Sequence, residues 1–220
     1  VHVADLGGEG PPVVCVHGLG GSYANWLAPG GLQDLGRVTA IDLPGFGLTP
    51  PAGRASSVAA NQRILDRYLR SFGQPVTLVG NSMGGAIAIR QAARAPDTVA
   101  RLILVSPAAP WDFFEAPPDP VVAAFFFAYA VPGLATAVMK WRRHFMDPEE
   151  VARMVIDLCT PHPERIDAEV FQRHVEVAEQ RQHIPGIDAA FLAAARSVLS
   201  TVWRRKAFDR HAAAISAPTL

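Results

Sequence analysis

A serine with a glycine two residues away on either side, in Gly80-Asn-Ser-Met-Gly84, allows this chain few local structures. The apolar run Val76–Val79 precedes the motif, and the segment from Met83 to about Ala95 has the composition of a helix. We therefore predict a buried strand, a very sharp turn and a helix. Such a turn leaves no room for side chains at positions 80 and 84, and it lifts the serine clear of the backbone.

The serine in this turn, Ser82, is a candidate nucleophile. A serine hydroxyl suits attack on acyl carbons, as in esters, thioesters, amides or C–C bonds beside a ketone, whereas displacement at an alkyl carbon needs a carboxylate. Met83 follows at the N-terminus of the predicted helix, where its backbone N–H is free and the helix dipole favours a developing oxyanion. The pattern therefore favours acyl chemistry on Ser82, with the N–H of Met83 as one oxyanion donor.

A second glycine-rich segment, His17-Gly-Leu-Gly-Gly-Ser22, follows the first clear apolar run, Val13–Val16. Glycines such as Gly18 allow a loop in which a backbone N–H, that of Leu19 above all, faces the serine. Two donors on one oxygen matter, because loss of one such donor raises the reaction barrier by about 3 to 4 kcal/mol. We predict that Leu19 and Met83 together form an oxyanion hole.

The first half of the chain alternates strand and helix patterns. Apolar runs predict strands at 13–16, 37–41, 76–79 and 101–105. Apolar residues at spacings of three and four predict a helix from Ser56 or Ser57 to about Phe72, stopped by Gly73. This alternation predicts an α/β fold, with right-handed crossovers and a mostly parallel sheet that has helices on both faces.

The pattern becomes helical from Trp111 to about Phe208, with a clear helix start at Asp147-Pro-Glu-Glu150 and no convincing strand. The uncharged run Val121–Met139 has the length of a membrane span. Pro132 in its middle argues against one, so we expect a helix packed over the core or an apolar lid on the pocket. The basic runs at 140–143 and 204–206 are interpreted as solvated helix faces, with a contact to an anionic substrate group as the alternative.

Composition excludes several classes of function. Half of the 220 residues are hydrophobic and 18% are charged, which excludes a disordered chain. Twenty basic residues balance twenty acidic ones, so we expect no nucleic-acid partner. Two cysteines do not support a disulfide framework or a cysteine zinc site, and we expect no metal. No signal peptide is visible, which favours a cytoplasmic location. The sequence does not indicate an oligomeric state.

In this order, His17-Gly18, Asp42-Leu-Pro-Gly-Phe-Gly47 and Gly80-Asn-Ser-Met-Gly-Gly85 resemble the α/β-hydrolase fold superfamily, in the manner of its serine esterases and lipases with a helical cap. The resemblance implies an α/β-hydrolase core in residues 1–108, a helical cap in 109–208 and a return to the core in 209–220. It implies structural turn glycines at Gly18, Gly80 and Gly84. It also implies a structural Asp42 and no cofactor. We expect His17 to be structural, bonded to loop backbone.

In that family, the acid and the histidine of the triad follow the serine in chain order. The resemblance places both beyond Leu220, together with the last core strands. The chain is therefore expected to be a fragment that is nearly inactive alone. Asp112 is an alternative for the acid. Five histidines follow Ser82 and are expected to be exposed or packed helix residues rather than the base: His144, His162, His174, His183 and His211.

These expectations combine into a serine hydrolase that cleaves a carboxylic ester with a hydrophobic acyl group. One alternative is a hydrolase of C–C bonds in aromatic ring-fission products, because the motif around Ser82 also resembles those enzymes. An acyltransferase or a cofactor-free perhydrolase is a further option. An alternative of another class is a non-catalytic hydrolase-like protein that binds a small apolar ligand or a partner.

Overall fold

The structure is a computed structural model that describes residues 1–27, 31–110, 120–160 and 162–220. Within these residues, five strands form one sheet: β1 (Val3–Gly7), β2 (Pro12–Val16), β3 (Arg37–Ile41), β4 (Val76–Asn81) and β5 (Val99–Val105). The spatial order is β1-β3-β2-β4-β5. Strands β2 to β5 pair in parallel, and β1 is antiparallel to β3. The prediction of a mostly parallel α/β sheet is confirmed.

The sequence patterns missed β1, which lies at the edge of the sheet. Its residues are half-buried or exposed rather than buried on both faces, and the strand contains Asp5. A short edge strand of this kind has no continuous apolar run for a sequence pattern to detect.

The helices that the structure describes follow the predicted order. The first of them, α1, begins after Ser57, whose hydroxyl accepts a hydrogen bond from the N–H of Ala60 at 3.2 Å. It ends at Arg70, two residues before the predicted end. The bounds are α1 (Val58–Arg70), α2 (Met83–Arg94), α3 (Pro120–Ala130), α4 (Pro132–Phe145), α5 (Pro148–Cys159), α6 (Ala168–Gln182), α7 (Ile187–Trp203) and α8 (Arg205–Ala213).

The two faces of the sheet are covered differently. Val14 and Val16 of β2 face a core built with α1, α2 and α7. Val13 and Cys15 face the other side, where they pack with Trp26 of a short 3₁₀ helix, Tyr23–Trp26. Because successive residues of a strand point to opposite faces, a fully buried β2 requires an apolar residue at every position. Burial raises the pKa of the Cys15 thiol to about 12, as expected of a core residue.

Helix α5 begins after Asp147, where the sequence predicted a helix start. The Asp147 carboxylate accepts from the N–H of Glu150, and the Glu150 carboxylate accepts from the N–H of Asp147, both at 2.8 Å. The apolar run 121–139 is divided between α3 and α4, which begins at Pro132. In the described part of the chain, no single helix is both long and apolar enough to cross a membrane. Helices α3 and α4 meet that test only as a pair bent by 111°.

The division into core, cap and return segments stays a prediction, and two contacts bear on where each would end. Helix α7 shares the buried core with α1 and α2, and the Ser197 hydroxyl accepts from the N–H of Val58 at 3.0 Å. At the end of the chain, Thr219 lies beside Leu102 in parallel register, and the N–H of Leu220 donates to the Leu102 carbonyl at 3.0 Å. The last residues therefore pair with the free edge of β5.

Candidate active site

Ser82 lies in the sharp turn between β4 and α2, as the motif predicts. Its φ of 49° and ψ of −114° are rare for a residue with a side chain, and such a conformation costs about 1 to 3 kcal/mol. Two main-chain hydrogen bonds hold it. The N–H of Ser82 donates to the Val105 carbonyl at 3.1 Å, and the Ser82 carbonyl accepts from the N–H of Ala108 at 2.9 Å. The end of β5 therefore fixes the backbone of the turn.

The glycines at positions 80 and 84 lie where no side chain fits. A Cβ added to Gly80 would lie 2.6 Å from the Gly84 carbonyl oxygen. A Cβ on Gly84 would overlap the Val16 carbonyl oxygen and lie 2.6 Å from that of His17. Close packing of β4, α2 and β2 thus requires glycine at both positions. The sequence predicted the same lack of room for side chains at the turn.

The glycine-rich loop after β2 packs directly against the serine. A Cβ on Gly18 would lie 3.2 Å from the Cβ of Ser82 and 2.8 Å from Oδ1 of Asn81. The N–H of Gly21 donates to the Gly18 carbonyl at 3.1 Å, which closes the loop into a turn. Among the residues that the structure describes, nothing accepts a hydrogen bond from the N–H of Leu19 or of Met83. Both N–H groups predicted for the oxyanion hole are therefore not engaged by a described residue, and their role stays a prediction.

His17 is buried, and both of its ring nitrogens are bonded to backbone. Nε2 accepts from the N–H of Leu43 at 3.1 Å, so the proton lies on Nδ1, which donates to the Gly18 carbonyl at 2.7 Å. Burial lowers the pKa of this imidazole. The ring supports the loop and has no free nitrogen with which to act as a base, in agreement with the structural role expected of it.

Asp42 is a second buried polar residue with a structural set of partners. Its carboxylate accepts from the N–H of Tyr23 at 2.6 Å and from the N–H of Leu48 at 2.9 Å, and Nδ1 of His2 lies 2.8 Å away. These bonds occupy both oxygens and tie β1, the 3₁₀ helix and the loop after β3 together. The carboxylate holds the loops in place, in agreement with the structural role that the family resemblance implies.

In the described ranges, Ser82 has no hydrogen bond to a histidine or a carboxylate. His174 lines the large cavity described below, and burial lowers its pKa. Nε2 of His211 lies 3.4 Å from a terminal guanidinium nitrogen of Arg90. His144 lies on α4. His162 precedes a short 3₁₀ helix, and His183 lies at the C-terminal end of α6. Asp112, the alternative acid, lies outside the described residues.

A cavity of about 690 Å³ lies between the glycine-rich loop and the helices α4 to α7. Its wall is mostly apolar and includes Leu19, Met139, Val151, Val177 and Phe191. Ser82 is not part of the wall. Leu19 is, and its neighbour Gly18 packs against Ser82, so the loop that carries the candidate oxyanion donor borders both the cavity and the serine.

Two arginines of the cavity wall are candidate functional residues, and the sequence analysis raised a substrate contact only for the run that contains Arg142. Arg142 belongs to the basic run 140–143 that the sequence suggested is a solvated face, yet it is only partly exposed and packs over the Phe191 ring, 5.8 Å from its centre. Arg181 lies on α6, and the sequence did not mark it as a functional residue, because an arginine on an amphipathic helix is ordinarily solvated. The solvated-face interpretation of the run is therefore wrong for Arg142.

A comparison with known proteins identifies the family of this chain. A family profile described as the alpha/beta hydrolase family matches residues 13–218, almost the whole chain. The chain belongs to the alpha/beta hydrolase family. The strand, sharp turn and helix around Ser82 and the glycine-rich loop beside it are thus features of an alpha/beta hydrolase, as the resemblance implied.

Curated relatives of this alpha/beta hydrolase match it over about half its length. The acetyltransferase component of the acetoin cleaving system from Cupriavidus necator is 37% identical over 109 residues, which are 49% of this chain and 29% of that protein. Lipase LipV from Mycobacterium tuberculosis is 36% identical over 114 residues, 51% of this chain and 43% of the lipase. In both relatives, the matched segment is less than half of the relative's length.

Solved structures resemble this alpha/beta hydrolase over nearly its whole length. Cfl2 from Burkholderia cenocepacia superposes with a TM-score of 0.70 at 19% identity, over 100% of this chain and 83% of the other. This likeness supports the fold.

Proposed function

We propose that this alpha/beta hydrolase cleaves carboxylic esters through an acyl-enzyme on Ser82. The observation that carries the proposal is the backbone of Ser82, held at a positive φ by the end of β5, with a glycine loop packed on its Cβ. A fold keeps a conformation of this cost where function needs it. The lipase name of one relative supports an ester as the substrate.

In the proposed reaction, the Oγ of Ser82 attacks the ester carbonyl carbon and its proton passes to a base. The carbonyl oxygen becomes an oxyanion, which accepts hydrogen bonds from the N–H groups of Leu19 and Met83. The alcohol then leaves with the proton from the base, and an acyl group remains on the serine. Water adds to that acyl group by the same route, releases the carboxylic acid and restores the hydroxyl.

The base is not assigned to a described histidine. His17 is excluded by its two backbone bonds, and the family order of triad residues predicts a histidine and an acid after Leu220. That placement stays a prediction. An active serine in a protein that has no histidine after this point would contradict it.

The apolar wall of the cavity supports a hydrophobic acyl group. Methionine, valine and phenylalanine side chains line it next to Leu19. Burial of each additional methylene of an acyl chain in such a wall contributes about 0.8 kcal/mol. Medium-chain esters are therefore expected to react with a higher kcat/KM than acetyl esters.

The test compares Ser82→Ala with Ser71→Ala in the protein as its gene encodes it, with p-nitrophenyl hexanoate as substrate. Ser71 is an exposed residue at the end of α1 and serves as the matched control. We expect Ser82→Ala to lose at least about a thousandfold in kcat, as nucleophile removal does, and Ser71→Ala to keep full activity. Equal activity of the two variants would contradict the proposal. A folded wild-type protein that turns over no ester would favour the non-catalytic alternative.

A further inference from the structure

Arg181 enters the cavity from α6 and has no carboxylate partner. One of its N–H groups donates to the Gly20 carbonyl at 3.1 Å, and its guanidinium lies 5.8 Å from the centre of the Phe46 ring. In the described part of the chain, no carboxylate lies within ion-pair distance of it. None of its nitrogens is both buried and unpaired. The remaining N–H groups of this cavity-lining residue are therefore accessible.

Arg142 lines the same cavity from α4 and likewise forms no ion pair with a described residue. Its guanidinium packs over the Phe191 ring. Burial lowers the pKa of Arg181 to about 10, and the charge of Arg142 acts in the same direction. Two cations that form no ion pair with a described residue thus share one largely apolar wall.

The described carboxylates around the cavity form no ion pair with Arg181 or Arg142. Asp188 forms an ion pair with Arg143 at 2.6 Å. The charges of Asp188 and Asp42 still act to raise the pKa of Arg181. Glu150 accepts the N–H of Asp147 in the helix cap. The other two charged residues of the wall lie on α5: Arg153, paired with Glu149 at 2.8 Å, and Asp157.

Cations held in an apolar wall without an ion-pair partner lower stability unless something compensates them. A guanidinium presents paired N–H donors that match the two oxygens of a carboxylate or a phosphate. We propose that Arg181 and Arg142 form a subsite for an anionic oxyacid group, a carboxylate or a phosphate, at the far end of an apolar chain. Taken with the proposed function, on which this step rests, the substrate is an ester whose acyl chain ends in such an anion.

The simpler alternative is that Arg181 only holds the Gly20 carbonyl and so shapes the loop. Under that alternative, loss of the guanidinium changes the binding of neutral and anionic ligands equally. The subsite instead predicts that the loss falls on anionic ligands alone, because only they contact the charge. Binding must therefore be measured with a matched neutral and anionic pair.

The experiment uses the gene-encoded protein in the Ser82→Ala background, so that no ester is consumed. Calorimetric titrations compare the monomethyl ester of octanedioic acid with its dimethyl ester, and octyl phosphate with octanol. We expect the anionic member of at least one pair to bind about tenfold or more tightly than its neutral partner, as charge-assisted hydrogen bonds allow. The pair that shows the preference identifies the carboxylate or the phosphate as the preferred group.

Variants then locate the subsite. Arg181→Gln keeps a polar side chain but removes the charge, and it is expected to abolish the anion preference. Arg142→Gln is expected to weaken it, which tests the subsite independently if the first variant fails to fold. Arg173→Gln is the matched control, because Arg173 lies on the same helix, exposed and paired with Glu176 at 2.6 Å. This control should leave both affinities unchanged.

Equal affinities for anionic and neutral ligands in the Ser82→Ala protein would overturn the subsite. So would equal losses for both ligands in Arg181→Gln. Turnover of neutral esters with no anion preference would overturn the subsite and leave the proposed function intact. A clear anion preference in a protein with an intact Ser82 that turns over no ester would support the subsite and overturn the proposed function.

Discussion

Gly18 lies so close to Ser82 that a Cβ added to the glycine would be 3.2 Å from the Cβ of the serine. The loop that carries Leu19 and the turn that carries the serine are therefore in direct contact, with no space for another methyl group. This contact fixes the distance between the candidate nucleophile and the candidate oxyanion donor.

Gly18→Ala is expected to reduce esterase activity far more than stability. The new methyl group meets the Cβ of Ser82 and Oδ1 of Asn81, so the contact between the loop and the serine must shift by a few tenths of an ångström. Misplacement of about 1 Å in an active site can cost about a hundredfold, and we expect kcat/KM to fall about tenfold or more. Steady-state kinetics with p-nitrophenyl hexanoate measure it.

Gly133→Ala is the control for that variant. Gly133 lies in α4, where a Cβ would meet nothing within 4 Å. Alanine is the better helix former by about 0.8 to 1 kcal/mol, so activity should stay the same and the melting temperature should not fall. Equal activity of the Gly18 and Gly133 variants would contradict a catalytic role for the contact between the loop and the serine.

Gly84→Ala is expected to destabilise the whole fold. Its Cβ would overlap the Val16 carbonyl oxygen, which belongs to the central strand β2 and cannot move alone. Overpacking of a rigid core costs about 1 to 3 kcal/mol, and more where backbone must shift. Urea denaturation measures the free energy of unfolding. A loss below about 0.5 kcal/mol, within the range of ordinary surface substitutions, would show that the turn is less tightly packed than described.

The sequence predicted the central part of the sheet and the turn around Ser82 because their causes are local. Apolar runs, glycines and a capping serine act within a few residues of themselves, and four of the five strands and the start of α1 follow from them. Strand β1 was missed because its pairing with β3 is a long-range contact of a half-exposed segment. Arg181 was missed for a similar reason, since only the packing of α6 over the glycine loop buries it.

Acid is expected to destabilise the protein partly through His17. Burial holds the folded-state pKa of this imidazole below the ordinary value of 6.5, so the unfolded chain binds the proton more readily. Stability is then fully present above about pH 6.5 and falls as the pH drops below the unfolded pKa. His174 and His211 are shifted in the same direction.

Melting temperatures measured over about three pH units, from about pH 8 to about pH 5, test this point. The wild-type protein should lose stability on acidification more steeply than His17→Asn, which lacks the titrating group although it is less stable overall. Parallel curves for the two proteins would show that His17 does not contribute to the acid sensitivity.

Arg181→Met is expected to stabilise the protein while it removes anion binding. The substitution replaces a cation that has no ion-pair partner by an apolar side chain in an apolar wall, and such changes are often neutral or stabilising. A gain of about 1 kcal/mol corresponds to a rise in melting temperature of about 2 to 4 °C for a chain of this size. In the control Arg173→Met, an exposed ion pair is lost and the melting temperature should hardly change. A fall of several degrees in Arg181→Met alone would mean that its bond to the Gly20 carbonyl outweighs the cost of the charge.

The central claim is that the hydroxyl of Ser82 is an activated nucleophile, and covalent labelling tests it most directly. A fluorophosphonate should form one bond to the Oγ of Ser82 in the gene-encoded protein, with loss of fluoride, and ester turnover should fall in proportion to the labelled fraction. Peptide mass spectrometry should find the adduct on Ser82 and none in Ser82→Ala. Ester turnover that persists while Ser82 stays unlabelled, or labelling that persists in Ser82→Ala, would contradict the account.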